Sequence, residues 1–147
     1  MSETPDGEAT FREAQASVAM PSSVPTGLRL ELARAKIKPG KTARADEWMA
    51  MLNDRYDECV ATLPGERMAF EAIFRTTDAD GQDWIYQLSL GGDGGTFDEN
   101  SGTLDADHAA FSRECKEPGW ELLSPELLLT PANVRHALIR ASNPPPK

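Results

Sequence analysis

Four side chains are the first candidates for chemistry: Glu71, Arg75, Tyr86 and His108. His108 is one of only two histidines, and it falls on the apolar edge Leu104, His108, Phe111, Cys115 of a predicted helix. An imidazole titrates near neutral pH and can serve as acid, base or ligand. The plain alternative is a half-buried helix histidine bonded to a neighbour. Glu71 sits mid-strand, where burying an unpaired carboxylate is expensive. It therefore pairs with Arg75 or with a cation from a partner chain, or it carries a raised pKa suited to proton transfer. Tyr86, on the neighbouring strand, offers one hydrogen-bonding hydroxyl from an otherwise apolar wall. Trp48, Trp84 and Phe111 read as packing residues.

Sharper signatures are missing. The stretch Gly91–Gly102 holds five glycines but lacks the lysine and spacing of a phosphate loop, and it is not a dinucleotide fingerprint. Asp93, Asp98 and Glu99 do not follow the calcium-loop order. Asp105, Asp107 and His108 cannot all face one metal along a helix, so no metal and no cofactor is expected. There is no nucleophile elbow, and neither Cys59 nor Cys115 has a histidine at nucleophile spacing. No residue is assigned a catalytic role, and whether the chain is an enzyme stays open.

The elements that must position these groups follow from periodicity. Leu28–Lys38 alternates as a strand and stops at Pro39-Gly40. Thr42 is the predicted N-cap of one helix running to about Leu63, its stripe formed by Ala45, Trp48, Met49, Leu52, Tyr56, Cys59, Val60 and Leu63. Pro64-Gly65 ends it. Met68–Thr76 and Trp84–Leu90 form a hairpin about Asp80-Gly81. A second helix spans Leu104–Lys116, and a last strand, interrupted by Pro125, spans Leu122–Leu129. Thr130 caps a terminal helix with Pro131 at its first position. The succession β-α-β-β-α-β predicts a ferredoxin-like α+β sandwich: a four-stranded antiparallel sheet, helices on one face, and an extra C-terminal helix.

The hairpin offers two faces. Met68, Phe70, Ala72 and Phe74 go with Trp84, Tyr86, Leu88 and Leu90; Glu71, Ile73 and Arg75 go with Ile85, Gln87 and Ser89. The expectation is that helices cover the first set. The second set, with Ile37, then forms a half-polar opposite face. Two such sheets packed together would bury the isoleucines and leave polar groups lining a cleft, which predicts a homodimer.

Composition sets the outer limits. Residues 1–26, with Pro5, Pro21 and Pro25, lack periodic apolar residues and read as a disordered tail; 27–142 form the domain, and 143–147 fray. About 120 residues suffice for a core without disulfides. The net charge of −9 disfavours nucleic acid and membrane partners. No secretory leader and no apolar run of about 20 residues is present, so a cytoplasmic location is expected.

The runs Lys38-Pro39-Gly40-Lys41 to Trp48, Glu71-Ala72-Ile73-Phe74-Arg75, Trp84-Ile85-Tyr86 and the His108–Cys115 helix resemble an uncharacterised bacterial family of small domains of unknown function. That family is similar in layout to the dimeric α/β-barrel group, which includes antibiotic-biosynthesis monooxygenases and rhamnose mutarotases. The resemblance covers Leu28 to Ala141 and implies a fold and a dimer more than an activity. The leading expectation is a small-molecule-binding domain, with its cleft between sheet and helices or across the dimer. The alternatives are a cofactor-free enzyme using Glu71 or His108 for proton transfer, and a dimeric interaction or scaffold domain.

Overall fold

The computed structural model describes residues 18–93 and 102–143. Strand β1 (Leu28–Lys36) leads to helices α1 (Thr42–Asp54) and α2 (Tyr56–Thr62). Strands β2 (Met68–Thr77) and β3 (Asp83–Gly92), helix α3 (Thr103–Cys115), strand β4 (Glu121–Leu123) and helix α4 (Ala132–Ser142) follow. The sheet order is β2-β3-β1-β4 with every neighbour antiparallel, the ferredoxin-like arrangement. Gly81, at φ +84°, closes the β2–β3 hairpin where Asp80-Gly81 predicts a turn.

The strand register places Ala35, Ile85 and Arg75 side by side on one face, followed by Ala33, Gln87 and Ile73. Against this face lie Ala45 and Trp48 of α1 and Cys115 of α3, all buried, with Met49, Leu52 and Phe111 packed beside them. This reverses the expected sidedness. The helices cover the Ile37, Ile73, Ile85 face, and the Phe74, Tyr86, Leu88 face is the one they leave. The physical reason is size. Ala35 lets the wide Trp48 ring approach the central strand, whereas the other side of β1 carries the bulkier Leu28, Leu30 and Leu32.

That other face is covered at one end only. Leu28 and Leu90 form a second buried cluster with Val24, against which Met20, Leu30, Phe70, Leu128, Leu138 and Ile139 pack. The extra helix α4 therefore lies across the sheet from α1 and α3. Residues 18–26, which composition assigns to the tail, belong to this second layer. Met20 Sδ accepts from the Leu30 amide (3.3 Å), Arg29 Nη2 donates to the Val18 carbonyl (2.9 Å), and Arg135 Nη1 donates to the Ser23 carbonyl (2.8 Å). Residues 1–17 and 144–147 lie outside the described residues. Asn143, assigned to the frayed end, accepts from Arg67 Nη2 at 2.6 Å and so ties α4 to the start of β2.

Four element boundaries also differ. The long first helix breaks at Arg55, whose backbone leaves helical geometry (φ −105°, ψ 37°) while its guanidinium is shared among Glu58, Asp107 and Thr103. Beyond the break Tyr56 is 64% exposed, and α2 contributes no buried residue. The N-caps fall on Lys41 and Pro131 rather than Thr42 and Thr130; the Thr42 hydroxyl donates instead to Asp83. The last strand pairs only over Glu121–Leu123, because the chain then leaves β1 toward the second cluster, where the Leu128 amide donates to Ser23 Oγ (2.9 Å).

Truncation separates the two layers. Trp48→Ala is expected to cost about 3–5 kcal/mol in guanidinium unfolding, as large-to-small changes in a closed core do. Val24→Ala should cost about 1–2 kcal/mol for the two methyl groups lost. A Val24→Ala variant as stable as the parent would remove residues 18–26 from the cooperative unit.

Candidate functional site

The four candidate side chains divide between the two faces of the sheet. Glu71, Arg75 and His108 lie on the side of α1 and α3, and Tyr86 lies on the other.

On the helix side, the register lines up Glu71, Ser89 and Glu31 as a polar row just beyond the isoleucine core. Ser89 is buried, and the Glu31 side chain is 12% exposed with Arg29 Nε at 3.4 Å. Gln87 Nε2 donates to Glu71 Oε2 at 3.1 Å. Asp105, buried in the first turn of α3, approaches the same region. His108 accepts at Nδ1 from the indole N–H of Trp48 (2.9 Å), with the two rings 5.6 Å apart. Burial lowers the pKa of His108, so the imidazole is neutral and its Nδ1 is occupied as an acceptor. This is the packed, bonded histidine of the plain reading.

Arg75 does not pair with Glu71. Positions four apart on a strand share a face but are separated by about 13 Å. Arg75 Nη1 instead donates to Asp46 Oδ1 of α1 at 2.5 Å. Although part of Glu71 is exposed, desolvation of its carboxylate raises its pKa, and nearby Asp105 adds to the rise against the lowering bond from Gln87. Glu66, in the turn before β2, shows the larger effect: burial, then Glu71 and Asp105, push its pKa up to about 8. Sequence reasoning missed Glu66, because a glutamate just after Pro64-Gly65 reads as an exposed turn residue.

On the far side, three rows cross the strands. They are Thr76, Trp84 and Lys36; then Phe74, Tyr86, Arg34 and Glu121; then Ala72, Leu88, Leu32 and Leu123. The next row, Phe70, Leu90 and Leu30, is the one α4 and residues 18–26 cover. The middle rows stay bare: Phe74 is 54% exposed and Leu123 40%. Here lies an open hollow of about 390 Å³, lined by Leu32, Phe74, Arg75, Thr76, Tyr86 and Leu88. At its rim Arg34 donates to Glu121 (2.8 Å) and to the Tyr86 hydroxyl oxygen (3.3 Å), with its guanidinium 4.1 Å above the Trp84 ring. A second hollow, about 450 Å³ at the hairpin end, includes Lys36, Asp78 and Gln82. Its Asp78 is already engaged by the amides of Asp80 and Gln82 and by the Trp84 indole.

Among the described residues, no group of three or more His, Cys, Asp or Glu side chains is placed to hold a metal ion. Cys59 and Cys115 are free thiols, and burial pushes both pKa values up, away from nucleophilic thiolate. No helix among the described residues is long and apolar enough to cross a membrane.

The carboxylate shifts carry a pH signature. Glu66 binds its proton more tightly folded than unfolded, so its contribution is full below about pH 4.5 and is lost as pH rises through about 8. His108 has the opposite sign: its lowered pKa contributes above about 6.5, and that contribution is lost as pH falls. The urea midpoint should decline from pH 6.5 to 8.5, and Glu66→Gln should flatten that decline. An unchanged slope in the variant would assign the effect elsewhere.

No curated protein and no solved structure matches the chain. A family model does match, over residues 28–136, which takes in all four strands and the start of α4. The chain belongs to that family, a family of unknown function (DUF6176).

Proposed function

We propose that this domain is a homodimeric small-molecule-binding module, in which two copies pack over the bare half of the sheet and close the hollow above Tyr86. The observation that supports this is the strip Leu32, Phe74, Tyr86, Leu88 and Leu123, with Phe74 and Leu123 exposed and the others half-buried, on a face otherwise covered by the chain's own α4 and residues 18–26. Sheet faces are matched best by other sheets, about 10 Å apart, and a two-fold axis lets one surface serve both partners. A hollow of about 390 Å³ closed by its counterpart reaches the size of small-molecule sites, roughly 300–1,000 Å³.

Charge favours this face over others for self-contact. The chain carries −9, so two copies repel across most of their surfaces. The bare strip is balanced: Arg34 and Lys36 stand against Glu121 and Asp78, two bases for two acids. The cofactor-free enzyme reading draws on Glu66 and Glu71, whose pKa values burial raises. Those groups lie across the sheet from the hollow and cannot reach a molecule held there, so the geometry favours binding over proton transfer at Tyr86.

Sedimentation at 1–100 μM tests the reading. A dimer is expected, and it should tighten between 50 and 500 mM salt as the general repulsion is screened. Phe74→Glu, at an exposed position, should weaken association at least about tenfold while leaving the circular dichroism unchanged. A protomer that stays single at 100 μM in high salt would sink the proposal.

A further inference from the structure

The polar groups around the hollow define what it can hold. Its lining is apolar apart from the Thr76 and Tyr86 hydroxyls; Arg75 borders it, but its guanidinium lies across the sheet on Asp46. Arg34 Nη1 donates to the Tyr86 oxygen, which leaves the phenol hydrogen; among the described residues it is donated to no acceptor. A phenol whose oxygen already accepts from a guanidinium is polarised and becomes a better donor through its own hydrogen. The neighbouring charges do not favour an ion. Arg34 is neutralised by Glu121, and Lys36 shares the adjacent polar hollow with Asp78. An anion brought here would have to displace Glu121 from Arg34, and a cation would meet two bases.

We infer that the hollow takes a neutral, largely apolar molecule bearing one hydrogen-bond acceptor, such as an aryl ketone, with the Tyr86 hydroxyl donating to that acceptor. The inference rests on the binding role proposed above and adds the class of ligand. Leu32, Leu88 and Phe74 supply the apolar walls, and Phe74, at the β2 edge, flanks the open side. Tyr86 sets orientation, because it is the only hydroxyl in the row that also bears Arg34.

Three probes of similar size test this on the full chain: acetophenone, ethylbenzene and benzoate, each titrated while amide shifts of Tyr86 and Leu88 are followed by NMR. Acetophenone should bind about 3- to 10-fold tighter than ethylbenzene, the value of one net hydrogen bond, and benzoate should bind weakest. Tyr86→Phe should bring acetophenone down to the level of ethylbenzene and leave ethylbenzene unchanged. The inference is overturned if benzoate equals or exceeds acetophenone, if Tyr86→Phe preserves the preference, or if a confirmed dimer binds none of the three. A single protomer that still shows the Tyr86-dependent preference would uphold the ligand class and overturn only the dimer.

Discussion

The indole of Trp48 decides how everything else is arranged. It is buried on α1, reaches the central strand at Ala35, and donates its N–H to His108 on α3. One side chain thereby fixes both covering helices to the same face. A ring of that size demands small partners beneath it, and β1 supplies them on one side only. Once that side is taken, the larger residues Leu30, Phe70 and Leu90 must be covered from behind, and α4 with residues 18–26 does so for one end of the sheet. The bare strip at the other end is what this division leaves over.

The hairpin was legible because two alternating runs flank Asp80-Gly81, and the alternation survives in the structure from Phe70 to Thr77, broken only by an irregularity between Met68 and Phe70. Its orientation was not. Both faces carry apolar residues at period two, so periodicity sorts them into two sets without saying which set receives helices. The deciding property was side-chain volume on β1. The break at Arg55 was hidden for a related reason. Tyr56, Cys59 and Val60 continue the helical stripe, and only the tertiary bonds of Arg55 to Asp107 and Thr103 show where the chain turns. Residues 18–26 were hidden by prolines that read as disorder but here shape a segment docked through single contacts such as Val24.

The candidate residues were found more readily than their relationships. Glu71 and His108 lie on the same side of the sheet, and Asp105 acts on both, while Glu71 and Asp105 add to the burial that raises the pKa of Glu66. Of the alternatives open for Glu71, pairing with Arg75 fails, because four positions along a strand lie about 13 Å apart and Arg75 bonds Asp46 instead. Tyr86 was read as a wall residue and is one, but of the opposite wall. A single sheet thus separates two chemically distinct environments. One is acidic and lies on the side of α1 and α3; the other is apolar, charge-balanced and open.

The bond from Arg135 to the Ser23 carbonyl joins positions 112 residues apart, and Leu128 to Ser23 joins positions 105 apart. During synthesis, which runs from the N-terminus, β1 emerges early yet has no strand beside it until β3 is made, and its other edge waits for β4. Residues 18–26 find their seat only after α4 has left the ribosome. From the synthesis of β1 to that of β3 the nascent chain therefore carries an unpaired central strand, a period in which chaperone capture or pairing with a neighbouring polypeptide competes with folding.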